Sequence, residues 1–111
     1  MQNQELVEFE PIVGTQDWNN LVCPNCGSDY LHHRAVRIYN RAEDEQNCRK
    51  TFVSNDYSQS SVVKDSIKNP SNRRDGLTID FTCEICSGAE VVAQLCVSQH
   101  KGRTEMFWRA A

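Results

Sequence analysis

Two Cys-x-x-Cys pairs, Cys23 with Cys26 and Cys83 with Cys86, constrain this chain more than any other feature. Two residues between cysteines allow a tight turn to aim both sulfurs at one point. The backbone N–H groups of the turn then face the thiolates. Two such turns supply four ligands, and four thiolates around one tetrahedral zinc ion make a closed, structural site. Pro24 and Gly27 suit the first turn, and Gly88 follows the second. Each turn is expected at a strand end, with a short strand over Leu21-Val22 leading into the first. Residues 27–82, 56 in all, separate the pairs. That exceeds the compact spacing of the smallest zinc modules. An insertion accounts for it at little cost, because loop-closure entropy grows only logarithmically with length.

Other cysteine chemistry fits less well. A redox Cys-x-x-Cys belongs at the start of a helix in a βαβ unit, and neither feature is present in the pattern. Four thiolates also suit an iron–sulfur cluster, but two turns in a β context favour zinc. Disulfides would suit a secreted chain. The N-terminus Met1-Gln2-Asn3-Gln4-Glu5 lacks the basic and apolar regions of a signal peptide, and no run approaches the length of a membrane span. The expectation is a cytoplasmic protein. Of the remaining cysteines, Cys48 reads as a free thiol in a polar stretch and Cys96 as a small buried residue.

The chain has 111 residues, 39% of them apolar, which is enough for one modest core. Domains this small often lean on a metal. The formal charge is -3, unlike the basic balance of a dedicated nucleic-acid binder. Residues 1–20 hold Glu5, Glu8, Glu10 and Asp17 with no Lys or Arg, so this segment reads as an acidic N-terminal arm. Within it, Val7, Phe9 and Pro11 alternate with Glu8 and Glu10. The alternation suits either a short edge strand or a loosely docked arm.

Residues 21–111 form the expected metal-binding domain, with an insertion over about 42–76. Tyr30 to Arg41 is rich in β-branched and aromatic residues and predicts a strand. Simple alternation puts Leu31, His33, Ala35, Arg37, Tyr39 and Arg41 on one face and His32, Arg34, Val36 and Ile38 on the other. The polar middle offers only Thr51-Phe52-Val53 and Val62-Val63 as apolar pieces and reads as an insertion or loose hairpin. Leu77, Ile79, Phe81 and Cys83 then alternate with Thr78, Asp80 and Thr82. Val91 to Ser98 alternates similarly. Gln99-His100-Lys101-Gly102 predicts a hairpin turn with Gly102 at positive φ, returning through Thr104 to Arg109. The fold expected is all-β, a small antiparallel sheet of three to five strands.

Paired knuckles flanking β-strands resemble the zinc-ribbon superfamily over residues 23 to about 108. Several strings resemble, more narrowly, a family of small zinc-ribbon proteins of bacteria and their phages. They are Cys23-Pro24-x-Cys26-Gly27, Tyr30-Leu31-His32-His33, Arg73-Arg74-Asp75-Gly76-Leu77, the second knuckle, and Gln99-His100-Lys101-Gly102-x-Thr104 with Trp108. That resemblance implies a fold and one structural Zn2+, and no particular activity. Zinc ribbons elsewhere contact nucleic acid or a protein partner, often in transcription, which is a fold-level analogy.

The expected function is therefore a zinc-binding, non-enzymatic module that contacts a protein partner or nucleic acid, in a setting such as transcription or phage–host regulation. Arg34, Arg37, Arg73, Arg74, His100, Lys101 and Arg103, interspersed with Tyr30, Tyr39, Phe107 and Trp108, would form its basic, stacking face if they converge, with Arg73, Arg74, Lys101 and Arg103 at loops near the knuckles. Glu43, Asp44, Glu45, Asp75 and Glu105 support the competing reading, a solvated surface of mixed charge. A small metal-dependent nuclease using His100 with nearby His and Arg residues is the alternative. Such enzymes place a helix after the hairpin and add a matching Asn or His, which this pattern lacks. Phe107 and Trp108 read as core or edge packing.

Overall fold

A strand with apolar residues at every second position must bury one face, and this chain carries several such runs. The computed structural model describes residues 7–8, 20–43, 45–56, 58–65, 68–87 and 89–110. These form β1 (Val7–Glu8), β2 (Leu31–Asn40), β3 (Asn47–Val53), β4 (Gln59–Asp65), β5 (Gly76–Cys83), β6 (Val91–His100) and β7 (Arg103–Arg109). All neighbours pair antiparallel in one sheet, ordered β1-β7-β6-β5-β2-β3-β4. No helix occurs among the described residues, so none is long and apolar enough to cross a membrane.

The all-β antiparallel expectation holds, but the sheet is larger than three to five strands. The polar middle joins it as a hairpin, with Phe52 in β3 and Val62 and Val63 in β4. Asp56 shapes its turn, accepting from the Ser58 N–H at 3.2 Å, the Ser58 hydroxyl at 2.8 Å and the Ser54 hydroxyl. These bonds, from Ser54 first, hold the Asp56 carboxyl down at about 2. At the other edge, β1 pairs with β7 through Val7 opposite Trp108, which agrees with the edge-strand reading of that segment. The rest of the acidic arm, apart from Asn20, lies outside the described residues. No strand forms over Leu21-Val22. The Cys23 N–H bonds to the Ser28 carbonyl at 2.8 Å, closing a local turn in place of a ladder, while Leu21 packs on the core.

A β-bulge in β2 corrects the expected assignment of faces. His33 stands opposite Phe81 and Val36 opposite Ile79, so three residue steps on β2 match two on β5. Opposed residues share a face. Leu31 and His33 therefore lie with Cys83 and Phe81, whereas beyond the bulge Val36 and Ile38 take that side. Arg37 and Tyr39 move to the other. A one-residue insertion inverts the rest of a strand, which plain alternation cannot anticipate. A second bulge, with Val92 as the extra residue, interrupts β6 opposite Phe81 and Thr82.

The apolar face holds the core of Phe81, Ala93, Leu95 and Trp108, with Leu21, Leu31, Ile79 and Val92 against it. Phe81 and Trp108 meet edge to face, with centroids 5.5 Å apart at 78°. Burying such side chains contributes about 2–3 kcal/mol each. Core packing is thus confirmed for Trp108, while Phe107 lies on the opposite face and is only half-buried. The β6–β7 hairpin closes through Lys101 at φ 51° and Gly102 at φ 79°. Two positive φ values define a type I′ turn, whose twist matches that of the flanking strands.

Candidate metal centre and basic surfaces

The first knuckle precedes β2 and the second follows β5, and these strands are paired neighbours. Leu31 is opposite Cys83, and the Glu84 N–H donates to the Tyr30 carbonyl at 3.0 Å. This register brings four sulfurs together across the insertion. Both knuckles use one turn geometry: Gly27 N–H donates to Cys23 O at 2.9 Å and Ser87 N–H to Cys83 O at 3.1 Å. Gly27 sits at φ 81°, a conformation that favours glycine. Gly88 lies outside the described residues.

The sulfurs of Cys23, Cys26, Cys83 and Cys86 all lie within 4.8 Å of one another. A tetrahedral zinc ion with Zn–S of about 2.3 Å holds its sulfurs about 3.8 Å apart. Cys23 and Cys86 Sγ are 3.9 Å apart, and Cys26 and Cys83 Sγ are 3.5 Å apart. The donor set fits a single ion better than a polynuclear cluster, whose thiolates hang from separate irons. Outer N–H donors are also in place. The Asn25 backbone N–H donates to Cys23 Sγ at 3.3 Å, and Asn25 Nδ2 to Cys86 Sγ at 3.4 Å. Such donors stabilise thiolate charge and orient ligands.

Ionisation within the cluster is uneven. Burial pushes the Cys83 thiol up, but backbone N–H groups of Cys86 and Ile85, with the Cys26 thiol, outweigh it and hold it at about 7. The Ser28 backbone pulls Cys26 down; burial and its cysteine neighbours outweigh that and push it up to about 12. Neighbouring thiols favour the Cys83 thiolate and oppose ionisation of Cys26, and a divalent cation relieves the conflict among four thiolates.

Cys48 and Cys96 lie away from the cluster and are buried, at 3% and 0% exposure. Cys96 is the small buried residue expected. Cys48 is not left open in a polar loop, because β3 turns it inward.

The expected basic face does not converge. Arg34 lies near the metal centre, with Nε donating to Thr82 Oγ1 at 3.1 Å, and Arg37 is bound to Asp80. Arg73, Arg74, His100, Lys101 and Arg103 are not near the knuckles. They occupy the opposite end of the sheet, beyond Gly76, and the eight residues of β5 separate the ends by roughly 23 Å. There Arg73, Arg74, His100 and Lys101 line a cavity of about 130 Å³ with Glu43. Glu43 meets Arg74 at 2.6 Å and Arg73 at 3.6 Å. This patch is the mixed-charge surface of the competing reading. The histidines are equally dispersed: His32 contacts Glu84 beside the second knuckle, His33 stands opposite Phe81, and His100 is at the far hairpin.

A different group converges on the polar face of the sheet. Arg37, Tyr39, Lys50, Gln94 and Arg109 come from β2, β3, β6 and β7 and line one cavity of about 490 Å³ with Lys68. The sheet therefore curls around this face. Arg37 Nη1 donates to Asp80 Oδ1 at 2.9 Å and Oδ2 at 3.0 Å, and Gln94 Nε2 donates to Asp80 Oδ1 at 3.0 Å. Arg109 donates to Gln94 Oε1 from Nε at 3.3 Å and Nη2 at 3.1 Å, and to the Lys68 carbonyl at 3.0 Å. Arg37 was already a candidate, with Tyr39 among the expected stacking aromatics; Lys50, Lys68, Arg109 and Gln94 were not. Their period-2 positions were legible in sequence, but the bulge and the curl that join them were not.

No family model, curated protein or solved structure matches this chain.

Proposed function

We propose that the protein is a zinc-stapled, non-enzymatic binding module that contacts nucleic acid or a protein partner. The four-sulfur cluster carries this reading. Its spacing suits one tetrahedral ion, and all four donors are cysteines. A zinc site made of four thiolates is coordinatively closed, so the ion holds the two knuckles together and leaves no position for substrate. Cys23, Cys26, Cys83 and Cys86 would hold it, with Asn25 steadying two of the thiolates. The zinc-ribbon resemblance of the knuckle strings supports the same role. Clustered cations on an otherwise acidic chain support a binding function over a purely structural one.

Metal analysis of the purified full chain tests the first part, with one zinc per chain expected. Iron, or no metal under thiol-protected purification, would overturn it. Incubation with plasmid and single-stranded DNA plus magnesium or manganese tests the second. Intact DNA is expected, and cleavage lost in His100→Ala would favour the nuclease alternative.

A further inference from the structure

We propose that the curled polar face of the sheet is a binding site for a phosphate-bearing ligand, centred on Arg37, Lys50, Lys68 and Arg109. This rests on the binding-module reading and names its ligand chemistry.

Charge is the first argument. The chain carries more acids than bases, yet four cations surround this one cavity of about 490 Å³. The acid beneath them, Asp80, is buried at 7% exposure and engaged by Arg37 and Gln94. Among the described residues, the lining thus holds four cations and no acid. The far patch at Arg73 and Arg74 is different, because Glu43 sits on the same cavity.

Preorganisation is the second. Gln94 accepts two bonds from Arg109 and donates to Asp80, which in turn holds Arg37. Two guanidinium groups are thus fixed through one relay. Both Asp80 bonds go to Nη1 of Arg37, and its guanidinium carbon lies 4.9 Å above the Phe52 ring. A planar guanidinium held in this way matches the geometry of phosphate oxygens. Lys50 Nζ sits 5.7 Å from the Tyr39 ring centroid, beside the same opening.

Buried hydroxyls are the third. Tyr39 Oη and Thr78 Oγ1 have no hydrogen-bond partner among the described residues, although Tyr39 is 2% exposed and Thr78 0%. Both lie on this face, and Tyr39 lines the cavity. Buried polar atoms are normally satisfied, so two unpartnered hydroxyls on one face call for an explanation, and a bound ligand supplies one. Burial pushes the Tyr39 phenol further up from its ordinary value, so it remains a protonated donor.

A second cavity of about 300 Å³ continues from the first, sharing Arg37 and Lys50 and adding Phe52 and Ser60. The groove can thus extend beyond one phosphate along β3 and β4. Phosphate could come from a free nucleotide or from a nucleic-acid backbone, and the probes separate these sources.

The experiment uses the full, metal-loaded chain at low salt. Inorganic phosphate, ATP and a short oligothymidylate are titrated while backbone and arginine side-chain resonances are followed. Shifts confined to the strands around Tyr39 and Arg109 are expected, with binding that weakens as salt rises. Lys50→Gln should weaken binding about threefold to tenfold and lower the salt slope by about 1, and Arg109→Gln should weaken it further. Arg73→Gln/Arg74→Gln, at the far patch, should leave it unchanged. Tighter binding of the oligonucleotide than of ATP assigns the site to a backbone, and the reverse assigns it to a nucleotide. Failure of all three probes, or loss of binding only in the far-patch variant, overturns the proposal. Unchanged circular dichroism and metal content keep the Lys50→Gln result interpretable. Hydrolysis of ATP or the oligonucleotide at this site would support the site and overturn the non-enzymatic reading.

Discussion

Arg37 on β2 reaches diagonally past its partner Thr78 to Asp80 on β5, with Arg37 Nη1 within 2.9 and 3.0 Å of the two Asp80 oxygens. Asp80 has 10% of its side chain exposed and Arg37 25%, so the pair is shielded from much of the screening that weakens surface ion pairs. Removing Asp80 would leave Arg37 and Gln94 without their shared acceptor. Asp80→Ala should cost about 2–4 kcal/mol, read as a lower urea midpoint at constant slope. A loss under about 0.5 kcal/mol would show that the relay does not hold the face together.

Metal removal should cost far more. Apparent binding energies of structural zinc sites are about 10 kcal/mol or higher at neutral pH, and most of this is folding energy. A strong chelator should abolish the β-sheet circular dichroism. Cys83→Ala should lose the metal, whereas Cys96→Ala, which removes a buried thiol outside the cluster, should retain it. An unchanged spectrum after verified metal loss would contradict the stapled-fold account.

Metal affinity should rise with pH. Cys26 is pushed up to about 12, so its proton must leave when the ion binds, and protons compete with metal. Cys83, held at about 7, loses its thiolate as pH falls through that value. Both effects have the same sign. Competition against a chromophoric chelator between about pH 6 and about pH 9 should show steadily tighter binding, with proton release on loading. A flat profile would mean that the sulfurs do not ionise on binding.

Gly76 is required by close approach. A Cβ there would sit 2.8 Å from Pro70 Cδ and overlap the Asn69 carboxamide oxygen, which already accepts from the Ser71 N–H at 2.9 Å. Gly76→Ala should destabilise by about 1–3 kcal/mol, measured by thermal unfolding of the metal-loaded chain. A neutral result would mean that the 69–75 loop yields freely.

Spacing alone made the four-cysteine cluster legible, because a two-residue gap limits where two sulfurs can point. The strands over Leu77 to Cys83 and Val91 to Ser98 were equally plain, since period-2 alternation is a local property. The β3–β4 hairpin was legible only as one of two readings, because its residues are mostly polar and their pairing depends on β2 being present. The basic residues misled for a related reason. Arg73 and Arg74 precede the second knuckle and Lys101 and Arg103 follow it, yet β5 and β6 place all four at the other end of the sheet.

By itself, the sequence determined the four-cysteine set, the all-β class and a hairpin turn with Gly102 at positive φ. Each follows from residue spacing or from a backbone preference that acts over a few positions. Only the tertiary structure decided which cations share a surface. One extra residue at Arg34-Ala35 inverts the faces of β2, and the curl of the sheet then brings Arg37 and Lys50 to Arg109. Register and curvature are set by partner strands, so no single segment could announce them.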